Sequence, residues 1–166
     1  MSGDLILRDP TPHDVPAITA IYRHYVEHTV ITFELEPPDE AEMAARIDAM
    51  REKGHPYFVG ERDGRIIGYA YASTYRPRPA YRFACEDSIY LDPEETGRGA
   101  GTAMLAELIE RSRKAGFHQM IGIITEGTTA SIRLHEKFGF ETLGTFPELG
   151  FKFERWLGIV HMQRGL

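Results

Sequence analysis

Residues 83–116 decide the fold: FACEDSIYLDPEETGRGAGTAMLAELIERSRKAG. The segment Phe83–Leu91, which is apolar at both ends, predicts a strand, which Asp92-Pro93 ends. The segment Thr96–Gly101 then supplies three glycines. Beyond it, apolar residues recur at the spacing of a helix that Gly116 terminates. The segment therefore predicts a strand, a glycine-rich turn and a helix in direct succession.

A glycine-rich turn between a strand and a helix suits a phosphate group, because it presents backbone N–H groups at the positive end of a helix dipole. Two familiar phosphate motifs do not match this turn. A P-loop needs Gly-Lys, and no Gly-Lys follows Gly97; a dinucleotide fingerprint needs a third glycine where Thr102 stands. Judged by itself, the turn is either a phosphate-binding site or a glycine-rich connection that binds no ligand.

Hydrophobic periodicity and turn signals predict further elements on both sides. Before the turn we predict a strand at Leu5–Arg8, a helix from Thr11-Pro12, a helix from Pro37-Pro38-Asp39 to Lys53, and strands at Tyr57–Glu61 and Ile66–Ala72. After it we predict a strand at Met120–Thr125, a helix from Thr128 or Thr129 to Phe138, and strands around Thr142–Pro147 and Lys152–Met162. The order is β-α-α-β-β-β-α-β-α-β-β. It predicts an α/β fold with a central mixed, twisted sheet flanked by helices, in a single domain over residues 1–166.

Composition narrows the class of protein. The chain has 166 residues, a formal net charge of −6 and ordinary globular proportions of hydrophobic (42%) and charged (27%) residues. An acidic chain is a poor ligand for nucleic acid, and no apolar run approaches the roughly 20 residues that span a membrane. The start, Met1-Ser2-Gly3-Asp4, lacks the pattern of a secretory signal. With Cys85 as the single cysteine, we predict a cytoplasmic protein without disulfide, metal, nucleic-acid or membrane partners.

With its flanking strand, the turn Thr96–Gly101 resembles the acyl-CoA-binding core of the GNAT N-acetyltransferase superfamily, in which Gln/Arg-x-x-Gly-x-Gly/Ala lies between a strand and a helix. The glycines match, whereas Thr96 departs from Gln/Arg, and Thr128 stands where family members often have asparagine. The resemblance implies the GNAT fold, with acetyl-CoA as co-substrate. It implies these cofactor-binding residues: Ile89, Tyr90, Leu91, Gly97, Arg98, Gly99, Ala100, Gly101, Thr102, Thr128 and Ser131.

A narrower resemblance covers nearly the whole chain. The segments AIYRHY (20–25), EDSIYL (86–91), ASIRLHEKFGF (130–140) and GFKFERW (150–156) are together similar to the phosphinothricin/methionine sulfoximine acetyltransferases. The resemblance implies that Glu86 is the base that takes the amine proton. It implies that Tyr75-Arg76-Pro77 and Cys85-Glu86-Asp87 bind the acceptor, and that the protein is a homodimer. His135 is then either the acid that protonates the leaving thiolate or a hydrogen-bond partner of the acceptor.

Glu86 has a physical reason to act as a base. An amine attacks a thioester only when it is unprotonated, and a carboxylate beside the acceptor can remove the proton directly or through water. Glu86 lies in an otherwise apolar strand, where a carboxylate is costly without a partner. The alternative is a solvent-facing glutamate on an edge strand.

The cationic loop around Arg76 suits an anionic acceptor. Arg76, Arg78 and Arg82 fall within seven positions, and guanidinium groups bind carboxylates and phosphinates bidentately. A solvated loop is the alternative for each of them. Lys152 and Arg155 are weaker candidates for the same anion, more typical of a surface. Phe33, Tyr75 and Trp156 either form the wall of an acceptor pocket or pack as ordinary apolar residues. Cys85 either contacts the acceptor or is an inert packed thiol.

We therefore expect direct acetyl transfer from acetyl-CoA to the α-amino group of a small amino-acid-like acceptor of the phosphinothricin, methionine sulfoximine or methionine sulfone type. The wider set of candidate substrate-binding residues is Phe33, Tyr75, Arg76, Pro77, Arg78, Cys85, Asp87 and Lys152. Two alternatives stay open. The acceptor is a different amine (a protein N-terminus, a polyamine or an aminoglycoside), or the protein is a non-catalytic acyl-CoA-binding module.

Overall fold

A computed structural model describes residues 3–166, which form a seven-stranded sheet and four α-helices. The strands are β1 (Ile6–Arg8), β2 (Tyr57–Arg62), β3 (Arg65–Thr74), β4 (Ala84–Leu91), β5 (Gln119–Thr125), β6 (Glu141–Lys152) and β7 (Arg155–Gly165). The helices are α1 (Val15–His28), α2 (Glu40–Glu52), α3 (Ala100–Lys114) and α4 (Thr129–Lys137). The order of strands and helices along the chain is the predicted one.

The sheet has the spatial order β1-β2-β3-β4-β5-β7-β6. Every neighbouring pair is antiparallel except β4–β5, which is parallel, so the sheet is mixed as predicted. Because successive side chains of a strand point to opposite faces, the sheet has an apolar core on each face. One core packs against α3, around Met104 and Leu108, and the other packs against α1 and α2, around Ile18 and Ile47.

Two predicted boundaries and one predicted cap need correction. The segment after Thr11 begins with a 3-10 turn, Pro12–Asp14, before α1. Thr128 occupies the N-cap position of α4, but its side chain makes no capping hydrogen bond. The sixth strand does not end at Pro147. It continues to Lys152, and the β6–β7 register shifts between Phe146 and Gly150. A bulge there accommodates Pro147, which has no N–H to donate to the ladder.

No helix within residues 3–166 is long and apolar enough to cross a membrane.

Candidate active site

The parallel strands β4 and β5 pair along only part of their length. Three residues of each strand are in register, from Ala84 opposite Gln119 to Glu86 opposite Ile121, whereas β4 continues to Leu91. Beyond Glu86 the two strands separate. Alternate backbone N–H and C=O groups on that side of β4 therefore face the opening instead of a partner strand.

A cavity of about 610 Å³ occupies this opening, bounded by β4, β5, the glycine turn, α4 and the loop after α1. Both candidate catalytic residues, Glu86 and His135, line it. So do nine of the predicted cofactor residues: Ile89, Tyr90, Leu91, Gly97, Gly99, Gly101, Thr102, Thr128 and Ser131. From the predicted acceptor set, Phe33 and Asp87 line it. The structure thus brings residues from four distant segments to one cavity.

Glu86 lies in the middle of the sheet, between β3 and β5, and not on an edge strand. Its side chain is on the α1–α2 face and is half-buried. Within residues 3–166, no group donates a hydrogen bond to the Glu86 carboxylate. Burial, and secondarily the nearby charge of Asp87, raises the pKa of Glu86 to about 7. A carboxyl group with this pKa is able to accept a proton near neutral pH.

Asp87 points to the opposite face, towards α4, where it meets His135. The Nε2 of His135 is 2.9 Å from Oδ2 of Asp87, and its Nδ1 is 2.7 Å from the carbonyl oxygen of Ser131. Both partners are hydrogen-bond acceptors, and only the imidazolium form can donate from both ring nitrogens, so these contacts favour the cation. Burial alone would lower the pKa of His135, but the hydrogen bond and charge of Asp87 outweigh it and the pKa is raised.

A glycine in β5 makes room for this pair. A side chain at Gly122 would place its Cβ 3.0 Å from Cδ2 of His135, a tighter contact than most side chains make, so a larger residue would require the ring or the strand to shift. The side chains of Asp87 and His135 are 6% and 7% exposed, and burial at this level strengthens their attraction.

The glycine turn presents its backbone to the cavity. Gly97 and Gly99 have φ values of 75° and 83°, a left-handed conformation that glycine adopts without strain. Gly99 is the N-cap of α3, whose first N–H groups have no partner inside the helix. No backbone carbonyl of residues 3–166 accepts a hydrogen bond from the N–H of Gly97 or Gly99. These donors are available to an anion.

Two predicted cofactor residues of the turn do not line the cavity. Ala100, the first residue of α3, is 1% exposed. The side chain of Arg98 points along the outside of the turn, with Nη1 3.5 Å from Oε1 of Glu95. These two residues can contact a ligand in the cavity only through their backbone or after a change of side-chain conformation.

The loop after α1 is fixed over the cavity by contacts from three elements. The hydroxyl groups of Tyr22 and Thr32 are 2.9 Å apart, and the hydroxyl of Thr125 donates to the carbonyl of Val30 at 2.6 Å. Lys152 was expected near the surface, but it is 3% exposed and donates from Nζ to the carbonyl of Thr32 at 2.8 Å. Burial lowers the pKa of Lys152. Its ammonium group holds the loop and does not line the cavity.

The predicted acceptor loop lies at the edge of the site. Arg76, Pro77 and Arg78 are exposed, and the guanidinium of Arg76 lies 5.2 Å from the ring centre of Tyr75. The Tyr75 ring contacts His161 of β7 with ring centres 6.2 Å apart. The strand registers place His161 and Glu86 on the same face of the sheet. The arginines of this loop do not line the cavity.

Cys85, like Lys152, is a predicted acceptor residue whose side chain lies away from the cavity. It precedes Glu86 on β4, so its side chain points to the opposite face, where it is 0% exposed in the core beside α3. Its Sγ lies 3.6 Å from the carbonyl oxygen of Gln119. Burial is the main reason that the pKa of the thiol is raised to about 12. Any contact of Cys85 with an acceptor is limited to its backbone.

Several lining residues were not predicted from the sequence. Tyr25 donates from its hydroxyl to the carbonyl of Leu91 at 2.6 Å, which ties α1 to the end of β4. Thr32, Thr125 and Ile159 also line the cavity. Tyr25 lies at the spacing of the apolar positions of α1, and no sequence signal distinguishes a core tyrosine from one at a cavity wall. Within residues 3–166, no group of three or more His, Cys, Asp or Glu side chains could hold a metal ion.

The family profile described as "Acetyltransferase (GNAT) family" matches residues 18–140. The chain therefore belongs to the GNAT acetyltransferase family, a class of acyl-transferring enzymes.

Individual relatives are named more narrowly. The chain is 48% identical over 154 residues to a phosphinothricin N-acetyltransferase of Alcaligenes faecalis, covering 92% of this chain and 78% of that protein. It is 38% identical over 161 residues to an L-methionine sulfoximine/L-methionine sulfone acetyltransferase of Pseudomonas aeruginosa, covering 96% and 94%. A phosphinothricin acetyltransferase from Sinorhizobium meliloti, solved in complex with acetyl-CoA, is 48% identical with a TM-score of 0.95, covering 98% of this chain and 88% of that one.

Proposed function

We propose that this enzyme transfers the acetyl group of acetyl-CoA directly to the α-amino group of a small amino-acid-like acceptor of the phosphinothricin, methionine sulfoximine or methionine sulfone type. The observation that carries the proposal is Glu86, an unpaired carboxylate with a pKa of about 7 at the point where β4 and β5 separate. The names of the relatives support the acceptor class.

Acetyl-CoA enters the opening with its diphosphate on the turn Gly97–Thr102 and its pantetheine arm along Ile89–Leu91. The free N–H groups of the turn and the dipole of α3 suit the diphosphate. The unpaired side of β4 supplies donors and acceptors to the amide groups of the arm, as a partner strand would. This placement brings the thioester towards Glu86.

Glu86 takes the proton of the acceptor's ammonium group, directly or through water, and the free amine attacks the acetyl carbonyl. Unpaired backbone N–H groups on the side of β4 that faces the opening stabilise the negative oxygen of the tetrahedral intermediate, because they are already in place when the charge develops. Direct transfer, without an acetyl-enzyme, agrees with the position of Cys85, whose thiol is enclosed in the core on the other side of β4.

His135 lies on the α4 face of the opening, and Glu86 lies on the α1–α2 face. Both N–H groups of His135 are engaged, one with Asp87 and one with the carbonyl of Ser131, so donation to the leaving CoA thiolate requires the ring to exchange one of these bonds. The same exchange would allow the second role, a hydrogen bond from His135 to the acceptor.

The acceptor amine lies beside Glu86, between Phe33 and the Tyr75–Arg78 segment. Arg76 is the candidate partner of the acceptor's carboxylate, because its guanidinium is exposed and free to turn towards the site. Lys152 and Asp87 contribute to the acceptor site indirectly. Lys152 holds the carbonyl of Thr32, and Asp87 holds the ring of His135.

We propose further that the protein is a homodimer through the β6–β7 hairpin. β6 is the outermost strand of the sheet, and an outermost strand offers unpaired backbone groups to a second chain. The hairpin exposes large apolar side chains: Leu143, Phe146, Leu149, Phe151 and Trp156. A second copy would remove these groups from water.

Acetylation of an amino-acid analogue removes the positive charge of its amine, so the proposed activity is one of detoxification and, for phosphinothricin, of herbicide resistance. We place it in the cytoplasm, where acetyl-CoA is supplied.

The test is steady-state release of free CoA thiol from acetyl-CoA with a panel of amines: phosphinothricin, methionine sulfoximine, methionine sulfone, spermidine, an aminoglycoside and a short peptide. We expect turnover on the first three. Turnover only on the cationic amines or the peptide would keep the enzyme class and reject the acceptor. Binding of acetyl-CoA without turnover on any amine would favour the non-catalytic module.

A further inference from the structure

A buried carboxylate lies directly before the glycine turn. Glu95 ends the 3-10 turn Pro93–Glu95 and is 4% exposed, a degree of burial that an ionised side chain needs partners to sustain. Three arginines provide them. Oε2 of Glu95 is 2.5 Å from Nη1 of Arg62, and Oε1 is 2.9 Å from Nη2 of Arg65 and 3.5 Å from Nη1 of Arg98.

The three arginines come from two different parts of the chain. Arg62 ends β2 and Arg65 begins β3, so both belong to the β2–β3 hairpin, whereas Arg98 belongs to the glycine turn itself. Glu95 therefore links the turn to the rigid hairpin beside it. The side chain of Arg62 is only 11% exposed, which makes this end of the link the firmer one.

The turn has few other contacts that fix it. Gly97 and Gly99 have left-handed backbones and free N–H groups, and the hydroxyl of Thr96 bonds only to the carbonyl of Pro93. A glycine-rich segment is conformationally permissive, so its geometry depends on what holds its ends. One end is α3 and the other is Glu95.

We propose that Glu95 is a positioning residue for the diphosphate of acetyl-CoA: it fixes the glycine turn to the β2–β3 hairpin and holds Arg98 at the edge of the turn. The inference rests on the proposed placement of acetyl-CoA. In this proposal the cluster of Glu95 and its arginines sets the shape of the phosphate site, although Glu95 itself does not contact the diphosphate.

Charge and position predict opposite effects when Glu95 is neutralised. As a charge, Glu95 repels the diphosphate, so its removal would strengthen binding of acetyl-CoA. As a positioning residue, it keeps the donors of the turn aligned, so its removal weakens binding. The sign of the change in KM therefore distinguishes the two roles.

The experiment compares Glu95→Gln with Glu94→Gln, a control that makes the same charge change one residue away. Glu94 is 83% exposed, and its contact with Arg65 is 3.9 Å long. Each variant is assayed with acetyl-CoA and with S-acetylpantetheine, a thioester without the diphosphate. We expect Glu95→Gln to raise KM for acetyl-CoA about tenfold and to leave the S-acetylpantetheine kinetics within about twofold. A lowered or unchanged KM for acetyl-CoA, or an equal rise for both thioesters, would overturn the proposal.

Two further variants keep the test decisive. Glu95→Asp retains the charge but shortens the reach. If Glu95→Gln does not fold, a rise in KM for acetyl-CoA alone in Glu95→Asp supports the proposal and an unchanged KM rejects it. Gly99→Ala strains the turn itself, because the φ of 83° disfavours alanine. If Gly99→Ala raises KM for acetyl-CoA and the Glu95 variants do not, only the role of Glu95 fails; if none of them does, the placement of the diphosphate fails with it.

Discussion

His135 and Asp87 lie 48 residues apart in the chain and meet across the opening of the sheet, with Nε2 and Oδ2 2.9 Å apart. The pair is buried, and the second ring nitrogen bonds to the carbonyl of Ser131. Hydrogen-bond acceptors at both ring nitrogens favour the cationic form of this histidine and raise its pKa. We therefore expect the pair to affect the free energy of unfolding as well as catalysis.

The first prediction concerns the dependence of stability on pH. The folded-state pKa of His135 is raised above the unfolded value of about 6.5, so the stabilisation by Asp87 is complete below that value and is lost as the pH rises through the folded pKa. Asp87→Asn keeps the shape and removes the charge. We expect it to lower the free energy of unfolding by about 1–3 kcal/mol near pH 6 and by less at alkaline pH. Urea unfolding across this range checks it; a difference that grows with pH would contradict the pairing.

Glu86→Gln removes the proposed base without changing the size of the side chain. We expect kcat to fall about 100-fold to 1000-fold, because general base catalysis contributes at this level, while KM for acetyl-CoA stays within about twofold. Glu52→Gln, an exposed glutamate at the end of α2, is the matched control and should behave as the parent enzyme. Wild-type turnover by Glu86→Gln would remove Glu86 from the mechanism.

The pH profile of kcat/KM for the acceptor is a separate prediction. Since the pKa of Glu86 is raised to about 7, the base is protonated and inactive below that pH. We expect the acid limb of the profile to inflect near 7 and the inflection to be absent in Glu86→Gln. An inflection near the ordinary value of 4.5 would mean that Glu86 is solvated in the working enzyme.

Gly122→Ala tests the close approach of β5 to the imidazole. The added Cβ would lie 3.0 Å from Cδ2 and 3.2 Å from Nε2 of His135, so either the strand or the ring must shift. We expect a loss of about 1–3 kcal/mol in the free energy of unfolding, as for other overpacked cores. In Gly165→Ala of β7, the nearest atom to the new Cβ is 3.6 Å away, and this control should be tolerated. Equal effects of the two variants would show that the space beside His135 is not critical.

Leu149→Arg tests the proposed dimer. Leu149 is 61% exposed on β6, and a buried, unpaired guanidinium at its position would oppose association. We expect size-exclusion chromatography with light scattering to give the mass of one chain for this variant and of two for the parent. Ile6→Arg, at the other edge of the sheet and 54% exposed, should remain a dimer. A monomeric parent enzyme would refute the interface.

Much of the fold was predictable because its signals are local. Three signals illustrate this: the glycine turn, the Asp63-Gly64 turn between β2 and β3, and the apolar stripe of α3. Each of them is carried by residues that are close together in the sequence. The errors fall where a local rule competes with a neighbour. Pro147 predicts the end of a strand, but β7 keeps the strand paired beyond it through a bulge. A sequence pattern cannot show that a partner strand tolerates the interruption.

The sequence by itself determined the order of elements, the glycine turn that suits a phosphate, and Glu86 as a carboxylate out of place in an apolar strand. These depend on residue type and spacing, which the chain displays directly. Only the tertiary structure decided which side chains share the cavity. Alternation along β4 turned Cys85 into the core and Asp87 towards His135, and packing of the β6–β7 hairpin against the loop after α1 buried Lys152 on the carbonyl of Thr32. Contacts between residues far apart in the chain, and the burial that shifts their pKa values, exist only once the sheet has assembled.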